Sequence, residues 1–176
     1  MEQLKNFFKF LEDKEGKNPP SKYKFLYDQE SLTPEDLNIR GDLNLRNTSI
    51  TSLPNNLTVE GSIYLNGSKI TSLPNNLKVD GYLDLMSTKI TSLPNNLTVG
   101  GYLYLNFSKI TSLPDNLEVG GGLNIEHTKI ISLPNNLKVE GGLYLQDTPL
   151  SEKYTEREIR KMIEDKGGYV QGDIYL

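Results

Sequence analysis

A 20-residue unit repeated without insertion constrains this chain more than any other feature. Ser-Leu-Pro recurs with its proline at Pro54, Pro74, Pro94, Pro114 and Pro134, and glycine recurs in the same register at Gly41, Gly61, Gly81, Gly101, Gly121 and Gly141. Self-similarity at this period marks a solenoid, in which each unit is one coil and neighbours share a core. The unit reads N-L-x-V-x-G-x-L-x-L-x-x-[TS]-x-I-T-S-L-P-N. Its Gly-x-Leu-x-Leu segment alternates as a short strand with one buried face. The inward pairs are Leu43/Leu45, Ile63/Leu65, Leu83/Leu85, Leu103/Leu105, Leu123/Ile125 and Leu143/Leu145. Three further apolar columns complete the interior: Ile50 to Ile130, Leu53 to Leu133, and Leu57/Val59 with their successors. One coil cannot enclose these side chains. Stacked at about 4.8 Å, neighbouring coils can. Pro-Asn-Asn after each leucine turns the chain on the opposite side.

The stretch Gly81 to Leu93, G-Y-L-D-L-M-S-T-K-I-T-S-L, followed by Pro94, resembles the leucine-rich repeat pattern L-x-x-L-x-L-x-x-N-x-L-x-x-L-P, and the match recurs through residues 41–150. It most resembles the short, proline-containing repeats of bacterial and bacteriophage proteins. The resemblance implies an α/β repeat solenoid of 20-residue coils, with a parallel β-sheet on one face and helical caps at both ends. Thr48, Ser68, Thr88, Ser108, Thr128 and Thr148 stand where that pattern has asparagine. A hydroxyl there still bonds turn backbone, with fewer groups than an amide.

Three segments are expected. Residues 1–31 form an N-terminal helical cap, in which Leu4, Phe7, Phe8 and Leu11 fall on one helix face and Lys14 to Ser21 form a loop. Residues 32–150 form the solenoid, opening on a degenerate unit in which Leu37, Ile39 and Gly41 match Leu57, Val59 and Gly61. Residues 151–176 form a C-terminal cap. Thr155 and Glu158 are spaced for a capping box on a helix that runs to about Lys166 and ends at Gly167-Gly168. Val170 to Leu176 then restates the strand, giving a seventh.

Composition narrows the function. The net charge is −4, the wrong sign for non-specific attraction to nucleic acid or anionic lipid. There is no cysteine, hence no disulfide and no thiolate chemistry, whereas repeat proteins of this kind that carry a ubiquitin-ligase domain need a catalytic cysteine. No apolar run reaches the roughly 20 residues of a membrane span, and the first ten residues carry charge too often for a secretory signal. The Asn-x-Ser/Thr triplets at Asn47, Asn56, Asn66, Asn96 and Asn106 read as products of repetition. The expected location is the cytoplasm, that of the host if the chain is phage-encoded. Catalysis is not expected. The sole histidine, His127, falls beside Asp147 with only Glu126 near, a surface polar pair, and Gly120-Gly121-Gly122 precedes no helix that could cradle phosphate. Neither a metal nor a cofactor is expected.

The coils differ from one another in four outward columns. The first runs Asp42, Ser62, Tyr82, Tyr102, Gly122, Gly142, Asp173; the second Asn44, Tyr64, Asp84, Tyr104, Asn124, Tyr144, Tyr175. The third runs Arg46, Asn66, Met86, Asn106, Glu126, Gln146; the fourth Asn47, Gly67, Ser87, Phe107, His127, Asp147. A repeat that varies one face while keeping the rest has been individualised there. Tyrosine gives a large, rigid contact at low entropy cost, so this face is the expected protein-binding surface. Its candidate residues are Tyr64, Tyr82, Asp84, Met86, Tyr102, Tyr104, Phe107, Glu126, Tyr144 and Tyr175. The bland alternative is that tyrosine simply suits strands. Acidic residues outweigh Arg46 across these columns, so the expected partner is a protein with a basic and partly apolar surface, such as one that itself binds nucleic acid. By analogy with phage and bacterial repeats, the chain is expected to act as an inhibitor that occludes that surface.

Two rivals follow from other columns. Lys69, Lys89, Lys109 and Lys129 form a ladder that could track single-stranded nucleic acid, with tyrosines stacking on bases. The acidic face opposes this. Thr51, Thr71, Thr91 and Thr111 form an array of the kind ice-binding or purely structural solenoids display, but Lys69, Lys89 and Lys109 each stand two positions ahead of one of them.

Overall fold

The computed structural model describes residues 21–176, and there the chain forms a β-solenoid. Each coil contributes two strands of two residues, one to each of two seven-stranded parallel sheets. One sheet contains β1 (Asn38–Ile39), β3 (Thr58–Val59), β5 (Lys78–Val79), β7 (Thr98–Val99), β9 (Glu118–Val119), β11 (Lys138–Val139) and β13 (Tyr169–Val170). The other contains β2 (Leu43–Asn44), β4 (Ile63–Tyr64), β6 (Leu83–Asp84), β8 (Leu103–Tyr104), β10 (Leu123–Asn124), β12 (Leu143–Tyr144) and β14 (Ile174–Tyr175). The register steps one coil at a time, as in Ile63 beside Leu83 and Leu83 beside Leu103.

The second sheet corrects the expectation of one. The Leu57/Val59 columns are expected as core alone; their Leu-x-Val alternates as Leu-x-Leu does, but a two-residue strand has few bonds of its own to hold it extended. Stacking supplies what the strand lacks: Thr58 N–H bonds Leu37 C=O at 2.8 Å and Glu60 N–H bonds Ile39 C=O at 2.9 Å. The glycine column sits at the bend between the sheets. A Cβ on Gly61 would lie 2.6 Å from the Gly41 carbonyl carbon, and one on Gly141 would lie 2.8 Å from both Gly121 C and Gly122 N. These glycines are needed for close backbone approach rather than for an unusual φ.

Elsewhere the backbone is left-handed in two columns. One is the second asparagine of Pro-Asn-Asn, at Asn56, Asn76, Asn96, Asn116 and Asn136. Asparagine tolerates this conformation, and its amides also chain from coil to coil, as in Asn136 Nδ2 to Asn116 Oδ1 at 2.9 Å. The Ser/Thr column is buried from Ser68 onward, and Thr48, Thr88, Thr128 and Thr148 each donate a hydroxyl to the carbonyl three residues back at 2.6–2.7 Å.

The inward columns form one continuous core from Leu43 to Ile174, with most leucines, isoleucines and valines fully buried. The amphipathic helix expected over Leu4 to Leu11 lies outside the described residues. A short helix, α1 (Ser21–Tyr27), opens the described residues, and a 3₁₀ turn follows at Gln29–Ser31. Phe25 of α1 joins the core, and Lys24 is buried against Asp36 at 2.9 Å. In the last coil the register passes from Leu143 to Ile174, and the surplus residues form α2 (Glu156–Asp165). The capping box is present: Thr155 N–H donates to Glu158 Oε2 at 2.9 Å, and Glu158 N–H donates to Thr155 Oγ1 at 3.4 Å. Ile159 and Ile163 of α2 are buried in the core, and Arg160 donates to the carbonyls of Val170 and Gly172. Thr155→Ala removes the cap and is expected to cost about 1 kcal/mol, measurable as a lower unfolding midpoint.

Candidate functional site

The four variable columns lie on and just beyond the outer face of the β2–β14 sheet. Alternation within each strand turns Leu43, Ile63, Leu83 and their successors inward, leaving the residues between them outside. Parallel pairing then sets Tyr64, Asp84 and Tyr104 side by side.

The tyrosines cluster rather than standing apart. Tyr82 meets Tyr102 edge-on at 5.7 Å between ring centroids, and Tyr102 stacks on Tyr104, also at 5.7 Å. Space for this comes from the next coil: a Cβ on Gly122 would lie 2.6 Å from Tyr102 Cε1. The glycine in the first outward column is thus the seat of a tyrosine ring. Tyr144 stacks on Tyr175 at 4.6 Å as a separate pair. Tyr82 and Tyr175 remain 44% and 40% exposed, while Tyr64, Tyr102, Tyr104 and Tyr144 are half-buried. Burial, with Tyr102, Tyr82 and Asp84 adding to it, raises the Tyr104 hydroxyl above the usual phenol range.

The fourth column has left-handed backbone throughout: Asn47, Gly67, Ser87, Phe107, His127 and Asp147 all have φ of 53–70°. Asparagine, glycine and aspartate suit that conformation. Phenylalanine does not, and such strain persists where something else repays it. Phe107 and His127 stack on each other at 4.3 Å, Phe107 is 53% exposed, and His127 Nδ1 lies 3.3 Å from Asp147. This pair is a second aromatic patch, apart from the tyrosine cluster.

Acidic residues of the face are held by neighbours within the fold. Asp42 accepts from Ser62 N–H at 2.7 Å, and Glu126 accepts from Asn124 Nδ2 at 2.7 Å, so both have partners within the fold. Asp84 accepts from Met86 N–H at 3.1 Å. Burial pushes its carboxyl above the usual carboxylate range, opposed by that N–H and by Arg46. The folded chain therefore takes up this proton more readily than the unfolded one, and the ionised form weakens the fold at neutral pH. Asp84→Asn keeps the acceptor for Met86 N–H and removes the charge. Its unfolding midpoint should exceed the wild type's at about pH 7, with the gain shrinking as pH falls through the Asp84 pKa toward about pH 4; thermal melts across that range check it.

The other columns differ in character. Lys69, Lys89, Lys109 and Lys129 are exposed. The exposed threonine column ends at Ile131, which is 71% exposed. The opposite sheet bears an open groove of about 700 Å³ lined by Asn56, Thr58, Asn76, Lys78 and Asp80 among others. Among the described residues, no three of His, Asp or Glu gather as a metal-binding group, and no helix is long and apolar enough to cross a membrane.

No family model and no curated protein matches this chain. Function has to be argued from the face itself.

Sequence reading did not single out the amides of the third column, Asn66, Asn106 and Gln146. Their signal was present, since each follows a tyrosine by two residues. Gly122 and Gly142 are only variable positions in the sequence, and their use as seats for tyrosine rings emerges from the stacking geometry.

Proposed function

We propose that this chain is a non-catalytic protein-binding module that captures a partner through the outer face of the β2–β14 sheet. One observation carries the reading: Tyr82, Tyr102 and Tyr104 form a contiguous aromatic cluster seated on a sheet whose buried and turn columns are otherwise uniform. Exposed aromatic clusters of this kind supply interface hot spots. The exposed Phe107–His127 stack, with left-handed backbone at Phe107, lies apart from it on the same face and is explained by a contact, because it contributes little to the core. Acidic groups around the cluster favour a partner surface that is basic and partly apolar, such as that of a nucleic-acid-binding protein. On this reading the chain acts by occupying that surface, in the cytoplasm, as an inhibitor of phage or bacterial type. Kinship with the leucine-rich repeats, and service of the terminal segments as caps that close the ends of the core, belong to the same proposal.

A comparative capture experiment tests it. Lysate of the source cell is passed over the wild-type chain and over a variant with Lys69, Lys89, Lys109 and Lys129 changed to glutamine. Retention of the same protein by both supports the tyrosine face. Loss with the lysines, together with a steep fall in binding as salt rises, would transfer the function to nucleic acid.

A further inference from the structure

Three coils carry tyrosine in the second outward column followed two residues later by an amide: Tyr64-Leu65-Asn66, Tyr104-Leu105-Asn106 and Tyr144-Leu145-Gln146. The coil before each of them carries Asn44, Asp84 or Asn124. Each of those turns its side-chain oxygen to the backbone N–H two residues on, at 3.3, 3.1 and 3.0 Å. The face therefore alternates every two coils, roughly 10 Å along the stack.

In the first tyrosine–amide pair a guanidinium is already in place. Arg46 of the preceding coil lies with Cζ 3.8 Å from the centroid of the Tyr64 ring, and its Nε donates to Asn66 Oδ1 at 3.0 Å. The ring face attracts the cation while the amide oxygen takes one arm of the planar fork. Moving two coils along replaces Arg46, Tyr64 and Asn66 by Met86, Tyr104 and Asn106. Methionine has no proton to donate. Asn106 is only 9% exposed, and its Oδ1 is buried without a hydrogen-bond partner. Two coils further on the trio is Glu126, Tyr144 and Gln146, and Gln146 Oε1 is also buried without a partner. Among the described residues, no other buried side-chain oxygen or nitrogen is in that condition. Leaving an acceptor so costs about 1–3 kcal/mol, and both instances fall where the Arg46 arrangement repeats without its arginine. No cation follows Arg46 in the second or third column, while Asp84 pairs with Tyr104 in register and Glu126 falls between Asn106 and Gln146.

We infer that Tyr104–Asn106 and Tyr144–Gln146 are two guanidinium sites, filled by arginine side chains of the partner protein, with Asp84 and Glu126 supplying the counter-charge. The inference rests on the reading of this face as the contact surface and names the chemistry it selects. Met86, flexible along its side chain, moves aside to open the first site. Lysine fits less well, having neither the planar fork nor the stacking surface. The spacing of the sites suits arginines about two helical turns apart on a partner helix.

Calorimetric titration of the full chain with an oligoarginine peptide, and with an oligolysine peptide of equal length and charge, tests this. Oligoarginine should bind at least about tenfold more tightly. Met86→Arg should fill the first site from within, weakening oligoarginine binding about tenfold or more while raising the unfolding midpoint. Asn106→Leu removes the orphan acceptor and should weaken binding without loss of stability, and Asp84→Asn should weaken it while stabilising the fold. Equal affinity for the two peptides, or unchanged oligoarginine affinity in folded Met86→Arg, overturns the guanidinium sites. Should the partner captured from lysate still be lost on truncation of Tyr82, Tyr102 and Tyr104, the protein-binding reading stands even where the arginine preference has failed.

Discussion

Changing Tyr82, Tyr102 and Tyr104 together to alanine is expected to abolish partner capture while the chain stays folded. The three rings form one contact unit: Tyr102 touches both of the others, edge-on to Tyr82 and face-to-face with Tyr104. Truncating a single aromatic hot spot removes about 2 kcal/mol or more of binding. Losing the whole unit should therefore lower affinity by at least about a thousandfold. Folding should suffer far less, because the core beneath consists of Leu83, Leu85, Leu103 and Leu105, which remain fully buried beneath the sheet. Binding to the captured partner, followed by calorimetry alongside a thermal melt of the variant, separates the two effects. A folded variant that still binds within a few-fold of the wild type would remove the tyrosine face from consideration.

The largest stability effect is expected at the bend between the sheets. Gly141→Val places side-chain atoms against the backbone of Gly121 and Gly122, where even a Cβ would lie 2.8 Å away. Backbone cannot rotate out of the way as a side chain can, so the coils must separate and break the ladder on both sides. A cost of about 3 kcal/mol or more is expected, equivalent to a fall of roughly 6–12 °C in the midpoint for a chain of this size. The adjacent Gly142→Ala is the control. Its Cβ would meet the Tyr175 ring edge at 3.2 Å and Asp173 O at 3.3 Å, and the ring can tilt. That variant should melt within a few degrees of wild type. Similar melting of the two variants would show that the glycine column has no role in coil spacing.

Much of this architecture was legible because a solenoid is nearly one-dimensional. Once the period of Pro54, Pro74 and Pro94 is seen, every residue has a neighbour assigned by adding or subtracting one unit. That is why the strand register, the inward leucines and the His127–Asp147 pair could all be placed from sequence, whereas the capping box at Thr155 follows from the local spacing to Glu158. What the period does not convey is direction within a coil. The Leu57-x-Val59 alternation marks inward side chains but not the ladder their backbone forms from coil to coil, so the first sheet is not legible in the sequence, nor is the left-handed backbone beneath Phe107 and His127.

Sequence alone thus determined which residues neighbour which, because stacking at a constant period turns position in the repeat into position in space. Only the tertiary structure decided what those neighbours do to one another. Whether an amide finds a donor depends on the angles at which side chains leave adjacent coils. Asn66 is satisfied because Arg46 folds across the Tyr64 ring to reach it, and Asn106 is left buried and unpartnered where methionine stands in that place.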